Sequence, residues 1–575
     1  MQSEWIIRQL SEPERQAQAL LVRELKISEL SAQILVDRGL TTPEAARRFV
    51  RPSMDELHDP FLMRDMEQAV LRLHTALERN ERIMVYGDYD VDGTTAVALM
   101  YSFLRHLTDN LIFYIPDRHK EGYGISFQGI DVAQQEGCTL IIALDCGIKS
   151  VDKVAYATER KIDFIICDHH TPGDTLPAAK AVLNMKRADC SYPFKELSGC
   201  GVGYKLAQAY TERYCLNPQW LYSLLSLTAM SIASDIVPIT GENRVLATFG
   251  LRQLNRLPSI GLRAIMQVAG IADRQVTIQD LVFKLGPRIN AAGRMHSGAE
   301  AVRLLITDDP AYAQHLAHEI DSHNAERRDC DTRTKDEALA QLAADPDNDR
   351  KFTSVVYAPG WHRGVVGIAA SRLTEVYYRP TIVLTSEEGG EISGSARSVS
   401  DFDIYSAIDS CSDLLSNFGG HRFAAGLSMA PENLPEFRRR FEEYVAAHIR
   451  PEQMRPTVDV EAEIDFQDIT PEFFNLLRHL EPFGPGNPRP VFATRNVINN
   501  RDTRRVGRMG EHLRLDLTDR TAAITGIAFG EGEKALYLQN GNPIDLCYEL
   551  EENTFNHMTS IQLRPVEIRL LNPNP

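Results

Sequence analysis

Short apolar runs alternate with helix-like stretches between residues 65 and 190 of the chain. Five such runs, each of three to five residues, lie at 83–86, 111–115, 140–144, 164–167 and 181–183. Strands of this length separated by helices are typical of a mostly parallel sheet with helices on both faces. We therefore predict an α/β domain built on a parallel sheet in this part of the chain.

Three aspartates follow the first apolar run. Asp88, Asp90 and Asp92 occupy alternate positions and are followed by Gly93, so an extended backbone would place their carboxylates on one face. Carboxylates that repel one another are commonly held together by a hard cation. A helix predicted over 94–106 would add N-terminal amides that favour phosphate. A solvated acidic turn and a lone calcium loop are the alternatives for this stretch alone.

Residues that can bind metals also follow two later runs. Asp145 follows the third run, and the triplet Asp168-His169-His170 follows the fourth. Because open α/β sheets bind ligands beyond the carboxyl ends of their strands, we expect these side chains to meet the first three aspartates at a metal site. Asp235 ends a mostly apolar helix predicted at 222–233, and a buried carboxylate there would need a partner such as a metal. A helix cap is the alternative for Asp235.

The stretch 284–294 carries side chains suited to phosphate. Arg288 and Arg294 offer fork-like donors, and Asn290 adds an amide. Two glycines and a proline favour a shaped loop over a helix here. An ordinary interdomain loop is the alternative.

A polar, helix-favouring stretch from 311 to 344 predicts a long solvated helix joining two lobes. The second lobe begins as another α/β unit at 353–357. Three short stretches of this lobe, 361–367, 392–398 and 418–426, contain small residues that would let a phosphate or sugar approach the backbone closely. Ordinary turns are the alternative. The candidate substrate-binding residues of this lobe are His362, Ser395, Arg397, Gly419, Gly420 and His421.

The last part of the chain, from about 455 to 575, is rich in β-strand signals and predicts a small β-barrel. Between Gly484 and Arg514, seven arginines accompany two acidic residues, a local excess of five positive charges. A barrel with such a basic stripe, including Arg504 and Arg505, suits single-stranded nucleic acid. A solvated strand face is the alternative.

Composition limits the class of protein. A chain of 575 residues with 43% hydrophobic and 25% charged residues is expected to form three or four globular domains. Without an apolar run of about 18 residues or a signal-peptide pattern, we expect no membrane span and a cytoplasmic location. The nine cysteines are scattered, as expected for reduced thiols. The net charge of -17 argues against a generally basic nucleic-acid binder but allows a local basic stripe.

Several motifs together resemble one known superfamily. The order of the metal motifs resembles the DHH phosphoesterase superfamily: Asp-x-Asp-x-Asp-Gly at 88–93, Asp-Cys-Gly at 145–147, Asp-His-His at 168–170 and Ser-Asp-Ile-Val-Pro at 234–238. The sequence motifs at 394–397 and 419–421 resemble those of its substrate-binding domain, called DHHA1. The stretches 286–294 and 482–487 narrow the resemblance to the RecJ family of bacterial single-strand-specific exonucleases.

The resemblance implies five regions and a fold of class α/β. A parallel-sheet DHH domain and a smaller α/β DHHA1 domain would be joined by a long helix and followed by a β-barrel of the OB type. The expected regions are an N-terminal helical region (1–64), the DHH catalytic domain (65–310), the connecting helix (311–346), the DHHA1 domain (347–452) and the OB-fold domain (453–575).

The family further implies 5′-to-3′ degradation of single-stranded DNA to mononucleotides, in recombination and repair. It implies Mg²⁺ or Mn²⁺ and a single-strand-binding protein as partner, with a RecQ-type helicase as a further candidate; we expect the chain to act as a monomer. Two alternatives are a DHH-family phosphodiesterase of short oligonucleotides or cyclic dinucleotides, and a non-catalytic DNA-binding replication scaffold. The arginine-rich C-terminal part favours a long polymer as substrate, and the intact metal motifs argue against a scaffold.

We expect two-metal hydrolysis, in which two ions about 3.5–4 Å apart activate a shared water and stabilise the developing charge. In this hypothesis Asp90, with Asp88, holds one ion, and Asp145 bridges the pair. The second ion takes Asp92, His169 and Asp235. The catalytic set is Asp90, Asp92, Asp145, Asp168, His169 and His170.

The family also suggests roles for residues around the ions. His170 is expected to donate to a phosphate. His362, Arg397 and His421 would hold the strand end, and Arg288 and Arg294 the phosphates between the lobes.

Overall fold

The computed structural model describes residues 2–118, 120–386, 390–399, 401–555 and 558–571. The chain divides into two units: unit 1 contains residues 1–41, 326–478 and 490–575, and unit 2 contains residues 42–325 and 479–489. The first elements are β1 (Glu4–Ile7), α1 (Glu12–Leu25), α2 (Glu29–Asp37) and α3 (Pro43–Val50). Thr42 caps α3 by accepting a hydrogen bond from the Ala45 amide at 3.2 Å. The N-terminal 64 residues are therefore shared between the two units.

The predicted parallel sheet forms in unit 2. Its strands lie in the order β3-β2-β4-β5-β6, and every neighbouring pair is parallel. Val85 and Ile142 face one apolar cluster, whereas Met84 and Ile141 face another, so both faces of the sheet are covered, as predicted. The elements are α4 (Met66–Glu78), β2 (Arg82–Gly87), α5 (Val91–Leu104), β3 (Leu111–Tyr114), α6 (Phe127–Gln135), β4 (Cys138–Leu144), α7 (Val151–Glu159), β5 (Asp163–Cys167) and β6 (Ala181–Leu183).

Helices complete unit 2, and one of them corrects a prediction. They are α8 (Gly199–Arg213), α9 (Gln219–Ser234), α10 (Gly241–Arg256), α11 (Ile260–Val268), α12 (Ile278–Asp280), α13 (Gly286–Met295) and α14 (Gly298–Ile306). The stretch expected to be a loop is thus helix α13. Pro287 lies in its first turn, where a missing N–H costs nothing. A Cβ on Gly293 would come within 2.4 Å of the Tyr89 carbonyl oxygen, so this glycine serves close packing.

The long helix predicted at 311–344 is α15 (Pro310–Ala343). It is not wholly solvated, because one side of each half is buried. Leu316 and Ile320 belong to the core of unit 2, and Ala338 and Leu342 to a cluster of unit 1.

The second lobe, in unit 1, has a five-stranded sheet in the order β10-β11-β9-β8-β7, in which β7 and β8 are parallel and the other pairs antiparallel. Its elements are β7 (Ser354–Tyr357), α16 (Val366–Tyr377), β8 (Thr381–Thr385), β9 (Ile392–Arg397), α17 (Ile404–Asp409), β10 (Asn417–His421), β11 (Ala424–Met429) and α18 (Leu434–His448). The predicted smaller α/β domain is confirmed.

The C-terminal part of unit 1 forms the predicted barrel. Strand β14 pairs with both β18 and β16, so β14, β18, β19, β17 and β16 close into a ring. The elements are β12 (Thr457–Val460), β13 (Ala462–Glu463), α19 (Pro471–Leu480), β14 (Phe492–Asn499), β15 (Arg504–Val506), β16 (His512–Thr518), β17 (Ala523–Ala528), α20 (Ala535–Gln539), β18 (Ile544–Phe555) and β19 (Met558–Leu570).

Strand β1 is an extended element within the region 1–64, which the sequence predicts to be helical. It pairs in parallel with β12. Trp5 packs its ring under the Arg569 guanidinium, 3.8 Å from the ring centre. The pairing joins the first residues of unit 1 to its C-terminal part.

Within the described residues, no helix combines the length and apolarity needed to cross a bilayer. All nine cysteines are thiols outside any disulfide.

Candidate metal centre and nucleic-acid interface

The loop after β2 contains the first two predicted ligands. Asp90 is the N-cap of α5, and its Oδ1 accepts a hydrogen bond from the Gly93 amide at 3.0 Å. Because aspartate is a favoured N-cap, α5 begins at Val91, three residues before the predicted start, and the three aspartates do not share an extended backbone. Asp88 is buried, and its Oδ1 accepts from the Gly124 amide at 3.2 Å.

Asp92 is held by a second helix. Its carboxylate accepts hydrogen bonds from the Gly199 and Cys200 amides at the start of α8, at 2.7 and 2.8 Å, and from Ser231 Oγ at 2.7 Å. Exposed amides at a helix N-terminus favour an anion, so α8 orients this carboxylate. Sequence reasoning missed these residues, although Ser198, the N-cap of α8, before a glycine-rich stretch is a recognisable helix start.

His169 lies among three carboxylates. Its Nε2 is 3.2 Å from Asp145 Oδ1, 3.5 Å from Asp235 Oδ2 and 3.7 Å from Asp92 Oδ2. Two sets of three ligand atoms lie within 4.8 Å of one another: Asp92, His169 and Asp235, and Asp145, His169 and His170. The structure therefore brings together five of the predicted residues, and neither set includes Asp88, Asp90 or Asp168.

His170, a member of the second set, is hydrogen-bonded to Asp168. Asp168 Oδ1 accepts from His170 Nδ1 at 2.7 Å, and its Oδ2 accepts from the Ile148 amide at 2.9 Å. Burial disfavours the His170 imidazolium, but the Asp168 hydrogen bond and nearby negative charges outweigh it and raise the pKa of His170. Asp168 thus orients His170 rather than facing the ligand cluster.

Tyr123 is a site residue that the sequence analysis missed. Its hydroxyl donates to the Asp145 carbonyl oxygen at 3.1 Å and lies 3.2 Å from His170 Nε2. The residue stands between Gly122 and Gly124, both at positive φ. That glycine pair marks a tight turn and was the available signal.

Burial and mutual repulsion raise the pKa values of three carboxylates at this site. Burial, followed by the charge of Asp90, raises the pKa of Asp88 to about 7. Burial, followed by the charges of Asp92 and Asp90, raises the pKa of Asp235 to about 9. Burial and the same neighbouring charges also raise the pKa of Asp145 well above its usual range. A bound cation would reverse these effects.

Unsatisfied buried atoms test whether a cation fits. Among the described residues, Asp88 Oδ2, Asp145 Oδ1 and both ring nitrogens of His169 are buried without a hydrogen-bond partner. Burial lowers the pKa of His169, which favours the neutral imidazole that ligates metals. Carboxylate oxygens suit Mg²⁺ and Mn²⁺, and imidazole suits transition metals. The donor set fits divalent ions of this kind.

Helix α13 lies beside the metal-site loop. Arg288 donates to Asp321 Oδ1 at 2.9 Å and to the Lys284 carbonyl at 2.8 Å, so its guanidinium already has protein partners. Arg294 is half-buried and its positive charge acts on Tyr89, the residue between Asp88 and Asp90. Asn290 is also half-buried on this helix.

Four predicted residues of the second lobe share one sheet face. Gly419 and Ser395 align across β11, and His421 and Arg397 align two residues further on. Ser395 and Gly419 line a cavity of about 340 Å³. Gly420 is exposed on the same strand as His421. His362 lies on a loop, where its Nδ1 accepts from the Gly364 amide at 3.0 Å.

The predicted basic stripe is not continuous. Arg489 belongs to unit 2 rather than to the barrel. Arg495 pairs with Glu463 and Asp545 at 3.1 and 2.9 Å. Arg504 and Arg514 lie opposite each other on β15 and β16, and both contact Asp502 at 2.6 Å. Arg505 donates to the Gly532 carbonyl at 2.9 Å. The sequence count therefore overstates the positive charge of this surface, because folding pairs several arginines with acids.

Known proteins match the whole architecture. Models of three domain families match the chain: the DHH family N-terminal domain over 82–232, the DHHA1 domain over 349–447 and the RecJ OB domain over 460–567. The single-stranded-DNA-specific exonuclease RecJ of Bacillus subtilis (strain 168) is 36% identical over 556 residues, which cover 96% of this chain and 70% of that protein. Its namesake in Escherichia coli (strain K12) is 32% identical over 94% of this chain and 95% of that protein. The chain belongs to the RecJ family of single-stranded-DNA-specific exonucleases.

Solved RecJ structures that contain metal ions share this fold. A crystal structure of RecJ from Thermus thermophilus in complex with Mn²⁺ has a TM-score of 0.83 at 28% identity and covers 100% of this chain and 80% of that chain. The Mg²⁺ complex of the same protein has a TM-score of 0.78 at 27% identity and covers 100% of this chain and 79% of that chain. The predicted family, fold, enzyme class of metal-dependent exonuclease and cofactors, Mg²⁺ or Mn²⁺, are confirmed.

Proposed function

We propose that this chain digests single-stranded DNA from its 5′ end to mononucleotides, in DNA repair and recombination. The observation that carries the proposal is the set of buried ligand atoms without hydrogen-bond partners on Asp88, Asp145 and His169. The RecJ relatives match nearly the full length of the chain, which supports the same class of substrate.

We assign Asp92, His169 and Asp235 as ligands of one ion. Asp145 would lie between this ion and a second one, and Asp88 and Asp90 would be further ligands of the second ion. The distances of 3.2 to 3.7 Å from His169 Nε2 to three carboxylates support the first assignment. Bound ions would supply an acidified water and stabilise charge at the phosphate. The residues themselves hold the donor set in place: Gly199, Cys200 and Ser231 orient Asp92, and Tyr123 binds the backbone of Asp145.

His170 is proposed as a donor to a phosphate oxygen. Asp168 holds its Nδ1, and the same interaction favours the protonated ring. Nε2 lies 3.2 Å from the Tyr123 hydroxyl, and it is the ring nitrogen that would turn to a phosphate oxygen when a strand binds. This arrangement resembles the carboxylate–imidazole pairs that set histidine orientation in other active sites.

The remaining side chains are assigned to the DNA strand. Within the proposed domain bounds 65–310, 347–452 and 453–575, we assign phosphate contacts to Arg288, Asn290 and Arg294, strand-end contacts to His362, Ser395, Arg397, Gly419, Gly420 and His421, and strand contacts to Arg504 and Arg505. A single-strand-binding protein, with a RecQ-type helicase as a further candidate, would be the partner of a cytoplasmic monomer. The shared sheet face of Ser395, Arg397, Gly419 and His421 supports the second assignment.

The test follows single-stranded DNA labelled at either the 5′ or the 3′ end, with Mg²⁺, Mn²⁺ or EDTA and a duplex as control. We expect metal-dependent early loss of the 5′ label as a mononucleotide, with the duplex spared. Asp145→Asn should abolish this activity, whereas Asp109→Asn, an exposed aspartate outside the site, should retain it.

Three outcomes would redirect the proposal. Cleavage of dinucleotides with long strands left intact would favour the oligonucleotide or cyclic-dinucleotide phosphodiesterase. Tight strand binding without cleavage in any metal would favour the replication scaffold. Early loss of the 3′ label would reverse the proposed polarity.

A further inference from the structure

A second cavity lies in unit 2, apart from the metal centre. Its volume is about 490 Å³, and it lies between the C-terminal half of α10, residues 275–279 and the segment 481–489. The first residue of α10 that lines the cavity is Thr248, seven residues after the start of this helix at Gly241. At about 1.5 Å per residue, Thr248 lies roughly 10 Å along the helix from its first residue, Gly241. None of its lining residues belongs to the metal cluster.

One wall of this cavity is formed by the segment 481–489, which contains the sequence motif 482–487. Arg244 holds the segment by donating to four backbone carbonyls, those of residues 479–482, at 2.8 to 3.5 Å. Asn487 donates back to the Leu480 and Pro482 carbonyls at 2.8 and 2.9 Å. Gly486 has a φ of +71°, which other residues rarely adopt. The wall is therefore tightly held, as a preformed binding site requires.

The lining is basic in an acidic protein. Arg252, Arg256 and Arg489 line the cavity together with a single carboxylate, Glu481. The Arg489 guanidinium stacks on the Phe483 ring at 4.9 Å and lies 3.9 Å from Glu481. Across the described parts of the chain, Arg252 and Arg256 have no carboxylate within ion-pair distance. An excess of positive charge in a concave site attracts an anion.

The chemistry of the lining selects the anion. Guanidinium forks match phosphate oxygens, and Thr248 Oγ1 is a buried hydroxyl without a hydrogen-bond partner. The apolar part of the lining is the remaining exposed surface of Phe483 and Ile278, which keep 8% and 6% of their surface, together with half-buried Leu251, and a nucleobase can pack on such a surface. The volume falls within the range of small-ligand sites.

We propose that this cavity binds a nucleotide, with its phosphate on Arg252 and Arg256 and its base against Phe483. Two sources share this chemistry: a free mononucleotide and a residue of a DNA strand. The inference does not depend on the polarity of digestion or on hydrolysis itself.

The test measures binding of fluorescently labelled dAMP to the full chain in EDTA, so that metal-dependent binding at the catalytic centre does not contribute. We expect Arg252→Gln with Arg256→Gln to weaken binding at least tenfold, and Phe483→Leu to weaken it severalfold. Arg263→Gln, an exposed arginine on α11, is the matched control and should leave binding unchanged. A circular dichroism spectrum and melting curve of each variant establish that it is folded.

Competition separates the sources. Displacement of the probe by dAMP, but not by an equal concentration of an eight-residue single strand, assigns the site to free nucleotides; stronger displacement by the strand assigns it to DNA. Absence of binding in EDTA, equal binding by the double-arginine variant, or equal displacement by deoxyadenosine without phosphate would overturn the proposal. Asp145→Asn should still bind the probe, so loss of hydrolysis and loss of this site are distinguishable.

Discussion

His169 Nε2 and Asp145 Oδ1 face each other at 3.2 Å, and neither atom makes a hydrogen bond. Both are buried, and burial lowers the pKa of His169 while raising that of Asp145. Buried polar atoms without hydrogen-bond partners are unfavourable in a dry site, and a cation beside these two atoms would stabilise both. This pair makes the strongest structural case for the metal centre.

The first prediction concerns Asp145→Ala. We expect it to lower the rate of strand hydrolysis on the order of a thousandfold, because a lost metal ligand costs several kcal/mol of transition-state stabilisation. Mn²⁺ should raise the melting temperature of the unmodified chain, since a ligand that binds only the folded state stabilises it, and should raise that of the variant much less. A variant that keeps most of its activity would contradict the assignment of Asp145 between the ions.

The second prediction concerns the support of Asp92 by Ser231. Ser231→Ala removes the 2.7 Å hydrogen bond to Asp92 Oδ1 and should weaken Mn²⁺ binding about 10- to 100-fold, as loss of groups that orient metal ligands does. Ser223→Ala is the control on the same helix, because that exposed hydroxyl donates to the Trp220 carbonyl, away from the metal centre. A metal titration of both variants checks this; equal dissociation constants would show that Ser231 does not position the ligand.

The third prediction concerns pH in the absence of metal. The folded-state pKa values of Asp88 and Asp235, about 7 and about 9, lie above the ordinary value near 4. The folded chain therefore binds more protons than the unfolded chain between about pH 4 and pH 9, and its stability should fall as pH rises through this window. Melting curves in EDTA at several pH values measure this.

Two comparisons test the cause of that pH dependence. Asp235→Asn should flatten its upper part, because the amide does not titrate. Saturating Mg²⁺ or Mn²⁺ should also flatten it, because the ion favours the ionised carboxylates. A metal-free chain whose stability rises steadily with pH across the window would contradict the prediction.

The fourth prediction concerns the barrel surface. Arg501 and Arg508 are exposed, and neither has a carboxylate at ion-pair distance among the described residues, whereas Arg504 and Arg514 share Asp502. Arg501→Ala with Arg508→Ala should weaken single-strand binding and reduce the slope of log affinity against log salt by about 1.4, at about 0.7 per phosphate contact. Binding isotherms at several salt concentrations measure the slope.

A matched control for the barrel variant lies on α18. Arg439→Ala with Arg440→Ala removes the same charge from residues paired with Glu436, Glu443 and Asp413, and its slope should stay near that of the unmodified chain. Arg504→Ala with Arg505→Ala, the variant that the sequence alone would select, should have a smaller effect than Arg501→Ala with Arg508→Ala. An unchanged slope for the latter would place the strand elsewhere.

The sequence by itself determined the sheet and the residues that gather at its edge. Apolar runs of strand length mark β2, β4 and β5, and parallel strands in one sheet end on the same side. Asp88, Asp145 and His169 could therefore be assigned to one site from the order of residues alone. This inference needs only local patterns and a general topological rule.

The tertiary structure decided what those residues contact. Asp90 caps its own helix, and Asp92 accepts a hydrogen bond from an amide of a helix more than 100 residues later in the chain. Arg504 forms an ion pair with Asp502. Likewise, Gly293 of α13 packs on the Tyr89 backbone, and β1 is a strand because it pairs with β12. Most of these contacts join residues that are far apart in the chain. Such contacts produce no periodic pattern in the sequence, because they form only when the chain folds.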